Sequence, residues 1–131
     1  MGIGIQICGL NGCGKSTLLK AILGILSLSS GEIFIDGENL LTISRNEIAK
    51  KIAYLSQGKN IPDMTVEQMV LHGRFPYLSY PRRYSSHDRE VAIKAMEIAG
   101  VAEFAHKPLY SLSGGMRQNA YIAMALAQDT D

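Results

Sequence analysis

The chain has no tryptophan, three phenylalanines, two cysteines and four prolines, and its 131 residues carry a formal net charge of only +1. Thirteen basic side chains stand against twelve acidic ones, and none cluster into a Lys or Arg run. That gives no electrostatic footprint for a polyanion, so no nucleic acid partner is expected. No apolar stretch approaches the length of a membrane span, and the N-terminus lacks the charged region, apolar region and cleavage site of a secretory signal. A cytoplasmic protein, free to sit on a membrane partner, is the expectation. Cys8 and Cys13 have no zinc-like companions, and they read as a buried apolar thiol and a small loop residue rather than a disulfide or metal site. His72, His87 and His106 share no spacing that suggests a metal or a catalytic pair. An apolar content of 47% argues against disorder and suits one small domain.

What is present begins with Gly9-Leu10-Asn11-Gly12-Cys13-Gly14-Lys15-Ser16-Thr17, which fits G-x-x-x-x-G-K-[ST]. Glycines there let successive backbone N–H groups turn inward into a nest of partial positive charge that takes a phosphate chain. Lys15 adds a full charge for the outer phosphates, and the Ser16 hydroxyl is the expected ligand of an accompanying Mg²⁺. Chance alone would produce the pattern in roughly one of a few hundred sequences of this length. Its context lowers that further. Gly4-Ile5-Gln6-Ile7-Cys8 reads as a short strand before the loop, and Leu18, Leu19, Ala21, Ile22 and Leu23 as an apolar helix after it, with its N-terminal dipole toward the anion.

Farther along, Ser27 to Gly31 is a polar turn, and Glu32 to Ile35 reads as a strand entering a tight Asp36-Gly37 turn. Ser44-Arg45-Asn46-Glu47 has capping-box spacing and predicts a helix through about Lys51. Ile52 to Ser56 reads as a buried strand ending on Gln57, at a position where open α/β sheets place ligand contacts; a plain loop amide is the other reading. Thr65 is the expected N-cap of a helix through His72, stopped by Gly73 and Pro76. Arg74 to Tyr84 gathers four aromatic rings, two prolines and three arginines on a loop. It is either a docking surface or a loop packing its own rings. From Ser86 to Ala99, Val91, Ala95, Ile98 and Ala99 recur at helical spacing, with Gly100 as the stop.

A second anion-gripping helix start follows. Ser113, Gly114 and Gly115 precede a helix, Asn119 to Gln128, apolar enough that burial on most sides is expected. A serine cap accounts for Ser113 alone. Two consecutive glycines weaken a helix for no structural return.

These features together resemble the ATP-binding subunit of an ABC transporter. Gly9, Asn11, Gly12, Cys13, Gly14, Lys15, Ser16 and Thr17 match its Walker A loop. Gln57 matches its Q-loop glutamine, and Leu112, Ser113, Gly114, Gly115, Met116, Arg117 and Gln118 its signature motif. Met116 departs from the commoner Gln or Glu, and Asn119 from a basic residue. The resemblance implies an α/β fold: a partial P-loop NTPase domain with a helical subdomain carrying the signature. On that basis 1–57 is P-loop core, 58–113 the Q-loop and helical part, and 114–131 the signature helix. It implies ATP as cofactor, with Mg²⁺ held by Ser16 and Gln57. The implied partners are a second such subunit in a head-to-tail homodimer, with two ATPs sandwiched between Walker A and signature, and membrane permease subunits. It places the protein on the cytoplasmic face of the cell membrane. His72-Gly73-Arg74-Phe75-Pro76-Tyr77 and the Cys13 variant look like importers of iron-siderophore complexes, haem or cobalamin.

The family's adenine-stacking β region, its Asp-Glu-ending strand, D-loop and switch histidine have no counterpart in these residues, and neither Asp129 nor Asp131 follows an apolar strand. No catalytic residue is therefore assigned. The transport ATPase reading stands beside two others, a nucleotide-binding remnant that does not hydrolyse ATP and a P-loop kinase or GTPase. The Ser113 motif and the lack of an Asn-Lys-x-Asp guanine-reading sequence weigh against the last.

Overall fold

The computed structural model describes residues 3–56, 58 and 60–129, which fall into two compact units divided between Ile48 and Ala49. In the first unit, α1 (Lys15–Ile22) ends at Gly24, whose φ of 70° is open to glycine without a Cβ penalty. A hairpin follows, β1 (Phe34–Ile35) and β2 (Glu38–Asn39), antiparallel with Phe34 opposite Asn39. Its expected Asp36-Gly37 turn has positive φ at both residues, 51° and 81°, the type I′ geometry whose twist matches that of the strands. The next helix, α2 (Arg45–Lys51), starts as predicted, with the Glu47 N–H donating to Ser44 Oγ at 3.2 Å. Leu40 and Ile48 are buried here.

Two expected strands did not form. Residues 4–8 and 52–56 make no ladder among the described residues. A strand exists only through hydrogen bonds to a neighbour, and β1 and β2 are occupied with each other. Ile5 is accordingly 85% exposed, and Leu55 and Ser56 are exposed where burial was expected. Cys8 is a free, exposed thiol rather than a buried one, as is Cys13.

The second unit is a three-helix arrangement of α3 (Val66–His72), α4 (Ser86–Ile98) and α5 (Gly114–Ala127), each packed on the other two. Both α3 and α4 begin with reciprocal capping boxes, Thr65 with Gln68 and Ser85 with Asp88, so each N-terminus has its donors satisfied. Val66, Val70, Val101 and Leu109 are fully buried between the helices, worth about 1.5–3 kcal/mol apiece in removed apolar surface. The Val66 N–H donates to the Lys107 carbonyl, and the Leu109 N–H to that of Met64. This strap fixes the segment that leads into Leu112 and Ser113.

The inward face of α4 is Asp88, Ala92, Ala95 and Met96, whereas Ile98, expected on the apolar stripe, is 66% exposed. Helix α5 buries one alanine-lined face, Ala120, Ala123 and Ala127, and leaves Ile122 and Leu126 exposed. One stripe of its apolar second half, Ile122 and Leu126, is thus open among the described residues, while Tyr121 and Met124 are partly buried against the core.

The aromatic loop also divides. Arg74 turns inward and is 4% exposed, with Nε 3.0 Å from Asp88 Oδ1 and Nη1 donating to the Ala127 carbonyl at 3.0 Å. Tyr77 donates its hydroxyl to the Gln128 carbonyl at 2.8 Å. Neither is available as a docking side chain, because the open carbonyls at the end of α5 take both. Gly73 makes this approach possible, since a Cβ there would run into the Met124 carbonyl oxygen.

Gly73→Ala should lower the free energy of unfolding by about 1–3 kcal/mol, the usual range for overpacking against a fixed backbone. Gly115→Ala, with nothing within 4 Å of the added Cβ, should instead raise it by up to about 1 kcal/mol through helix propensity. Urea titration of both variants checks the pair of signs. Asp88 gives a further test. Burial pushes its carboxyl up, but hydrogen bonds from the Ser85 backbone and hydroxyl and the Arg74 guanidinium outweigh it and hold the group below the ordinary carboxylate value. A depressed carboxylate contributes stability above its unfolded value and loses it as pH falls through the folded one. The stability gap between wild type and Asp88→Asn should therefore be full at neutral pH and shrink in acid below the ordinary Asp range. A gap that stays constant down the acid limb would remove the charged pair as its source.

Candidate functional site

The glycine loop of the first unit turns directly into α1, with no strand before it among the described residues. Gly12 and Gly14 have φ of 84° and 101°, conformations a side chain resists by about 1–2 kcal/mol. The Cys13 N–H closes a turn on the Leu10 carbonyl at 3.2 Å. Lys15 folds back over the loop, Nζ donating to the carbonyls of Gly9 and Leu10 at 2.7 and 2.8 Å and lying 3.6 Å from Cys13 Sγ. A Cβ on Gly9 would meet that sulfur, which would have to turn aside.

Lys15, Ser16 and Thr17 open α1, and Gly14, its N-cap, offers no side-chain bond to their amides. The first N–H groups of a helix have no intrahelical acceptor. An uncapped start carrying an ammonium group suits phosphate oxygens, which make stronger, charge-assisted bonds than carbonyls do. Asn11 and Ser16 are exposed beside it. The Ser16 hydroxyl could take a Mg²⁺, while Gln57, the other expected ligand, lies outside the described residues.

The signature stretch sits at the start of α5 in the second unit. Leu112 is buried and anchors it. Ser113 is the N-cap, its Oγ accepting the Met116 N–H at 3.2 Å, which leaves the hydroxyl proton to donate elsewhere. Gly114 and Gly115 are exposed, and nothing lies within 4 Å of a Cβ added to either. Packing does not require these glycines; they leave a bare backbone. Arg117 bends back, Nε to the Leu109 carbonyl at 3.3 Å and Nη2 to that of Leu112 at 3.0 Å, so its work is to fasten the preceding turn. Gln118 and Tyr121 line a cavity of about 630 Å³ with Leu55, Ser56 and Met69.

Sequence reasoning missed the cluster at the other end of α5. Asp88, three residues after Ser85, carried a capping-box signal for its own helix, but nothing in the sequence pairs it with Arg74. On the loop itself Tyr80 is 95% exposed and Phe75 exposed beneath Arg82, 4.8 Å from its ring centroid.

A left-handed glycine loop feeding an uncapped helix, followed by a helical unit whose last helix starts on a capped serine and two open glycines, defines the P-loop NTPase class. The family model described as ABC transporter matches residues 1–131, and the chain belongs to that family. It is 43% identical over 124 residues to the petrobactin import ATP-binding protein FpuD of Bacillus anthracis, covering 94% of this chain and 45% of that one. It is 40% identical to the ferric enterobactin transport ATP-binding protein FepC of Escherichia coli K12, covering 95% and 46%. Among solved structures, an inward-facing metal-chelate type ABC transporter superposes with a TM-score of 0.75 at 32% identity, over 94% of this chain and 45% of that one. The chain thus spans about half the length of the curated relatives it matches. The expected α/β P-loop fold agrees with these matches, and no described helix is long and apolar enough to cross a membrane.

Proposed function

We propose that these residues belong to the ATP-binding subunit of an importer for iron-siderophore complexes or related metal chelates. ATP hydrolysis by the assembled protein would drive uptake. The observation that carries the reading is the phosphate loop: two left-handed glycines, a helix start without a side-chain cap, and Lys15 folded over both. Gly9, Asn11, Gly12, Cys13, Gly14, Lys15, Ser16 and Thr17 hold the phosphates, and Ser16 with Gln57 holds Mg²⁺.

Leu112 to Gln118 act on a second nucleotide, bound by the loop of a partner copy in a head-to-tail dimer. The bare backbone at Gly114 and Gly115 supports that assignment, because an exposed amide without a side chain beside it admits a phosphate. The functional parts are then 1–57, 58–113 and 114–131, and the subunit works at the cytoplasmic face of the membrane beside its permease. The matched import proteins favour this reading over a non-hydrolysing remnant or a kinase or GTPase.

Lys15→Ala should weaken Mg-ATP binding in a calorimetric titration far more than Lys20→Ala, since Lys20 lies in the last turn of α1. Equal losses would count against the loop. The exposed part of the aromatic loop should face the permease. A Ser79→Cys or Tyr80→Cys subunit should crosslink to the permease's cytoplasmic loops, and an Ile98→Cys subunit on α4 should not. The reverse pattern would reassign the docking surface.

A further inference from the structure

We propose that Arg74 and Tyr77 are positioning residues for the signature motif, gripping the carboxyl end of α5 and so setting where Ser113, Gly114 and Gly115 stand at its other end. This rests on the reading of the signature given above. A helix presents several carbonyls at its C-terminus without intrahelical partners, and α5 has an unusual set of side chains on them. Arg74 takes the Ala127 carbonyl and Tyr77 that of Gln128, with Asp129's carbonyl 3.2 Å from the same hydroxyl. The guanidinium lies over the Tyr77 ring, 3.9 Å from its centroid, and its Nε is held by Asp88 at 3.0 Å. Gln128 in turn donates its amide to the carbonyls of Ala49 and Ile52. Four segments of the second unit therefore meet at one helix end.

The packing of α5 makes that grip decisive. Its buried face is Ala120, Ala123 and Ala127. Met116, Tyr121 and Met124 are only partly buried against the same core, and the fully buried positions are alanines, which interlock less deeply with neighbouring grooves than large residues do. Polar bonds at the end, together with the close approach of Gly73 to Met124, then set its register. A helix of 14 residues carries that setting about 21 Å to its start, at about 1.5 Å per residue. Arginine suits the task because its planar fork meets a carboxylate and a carbonyl at once while its face stacks on a ring; a lysine offers a point charge.

The test is ATP turnover by the assembled transporter carrying Arg74→Lys or Tyr77→Phe, read as kcat and KM separately, with Ser113→Ala for calibration and the thermal midpoint as a folding control. Displacing a contact that acts only in the closed dimer lowers kcat and leaves ground-state binding alone. Arg74→Lys should lower kcat roughly tenfold or more and Tyr77→Phe a few-fold, both with KM for ATP unchanged, because Gly9 to Thr17 are untouched. Wild-type kcat in both variants overturns the proposal, as does a fall that merely tracks the folded fraction. If Ser113→Ala also leaves kcat intact, the reading of the signature has failed with it. If Ser113→Ala lowers kcat and the other two do not, only the positioning role has failed.

Discussion

Helices leave backbone donors unpaired at one end and acceptors at the other, and how each end is satisfied organises this chain. The starts of α3 and α4 are closed by capping boxes. The end of α5 is closed by Arg74 and Tyr77. The start of α1 has no side-chain cap, and that of α5 has one serine followed by two bare glycines. Fully capped ends sit where structure is made rigid, and an uncapped start and a start with bare glycines behind its serine cap carry the two motifs that suit phosphate. An open helix start would weaken a purely structural helix, since a missing cap costs about 1 kcal/mol.

Glycine serves the same division in three distinct ways. At Gly12 and Gly14 the backbone is left-handed and a side chain is refused by conformation. At Gly73 the backbone is ordinary, φ −59°, and a side chain is refused by the Met124 carbonyl. At Gly114 and Gly115 neither reason applies. Only the last case leaves function as the remaining cause, which is why the signature glycines are more informative than the loop glycines.

Most of what repeats locally was legible in the sequence. The Ser44 and Thr65 caps, the Asp36-Gly37 turn, the Gly100 stop and the phosphate loop depend on residues within a few positions of one another, and each lies where its spacing placed it. The misses all depend on distant partners. Ile5 and Ile7 alternate with Gln6 and Cys8 as a strand should, yet alternation describes a face and not the neighbour that must supply hydrogen bonds. Ile98 kept helical spacing with Ala95, yet the buried stripe of α4 ends at Met96 and Ile98 lies outside it.

Arg74 is the clearest case. On a loop with Phe75, Tyr77, Tyr80, Arg82 and Arg83, an arginine reads as part of a cationic surface, and Arg82 is indeed exposed, over the Phe75 ring. What separates the two arginines is not composition but desolvation. Removing a guanidinium from water is tolerable only where its donors and charge are met, and the partners of Arg74 lie 14 and 53 residues away. Breaking such a pair from one side typically costs about 3–5 kcal/mol, because the other charge is left buried. A loop secured at Arg74 and Tyr77 does not depend on Ser79 to Arg83 for those contacts. Its tip, Ser79 to Arg83, is exposed while its base stays fixed to α5.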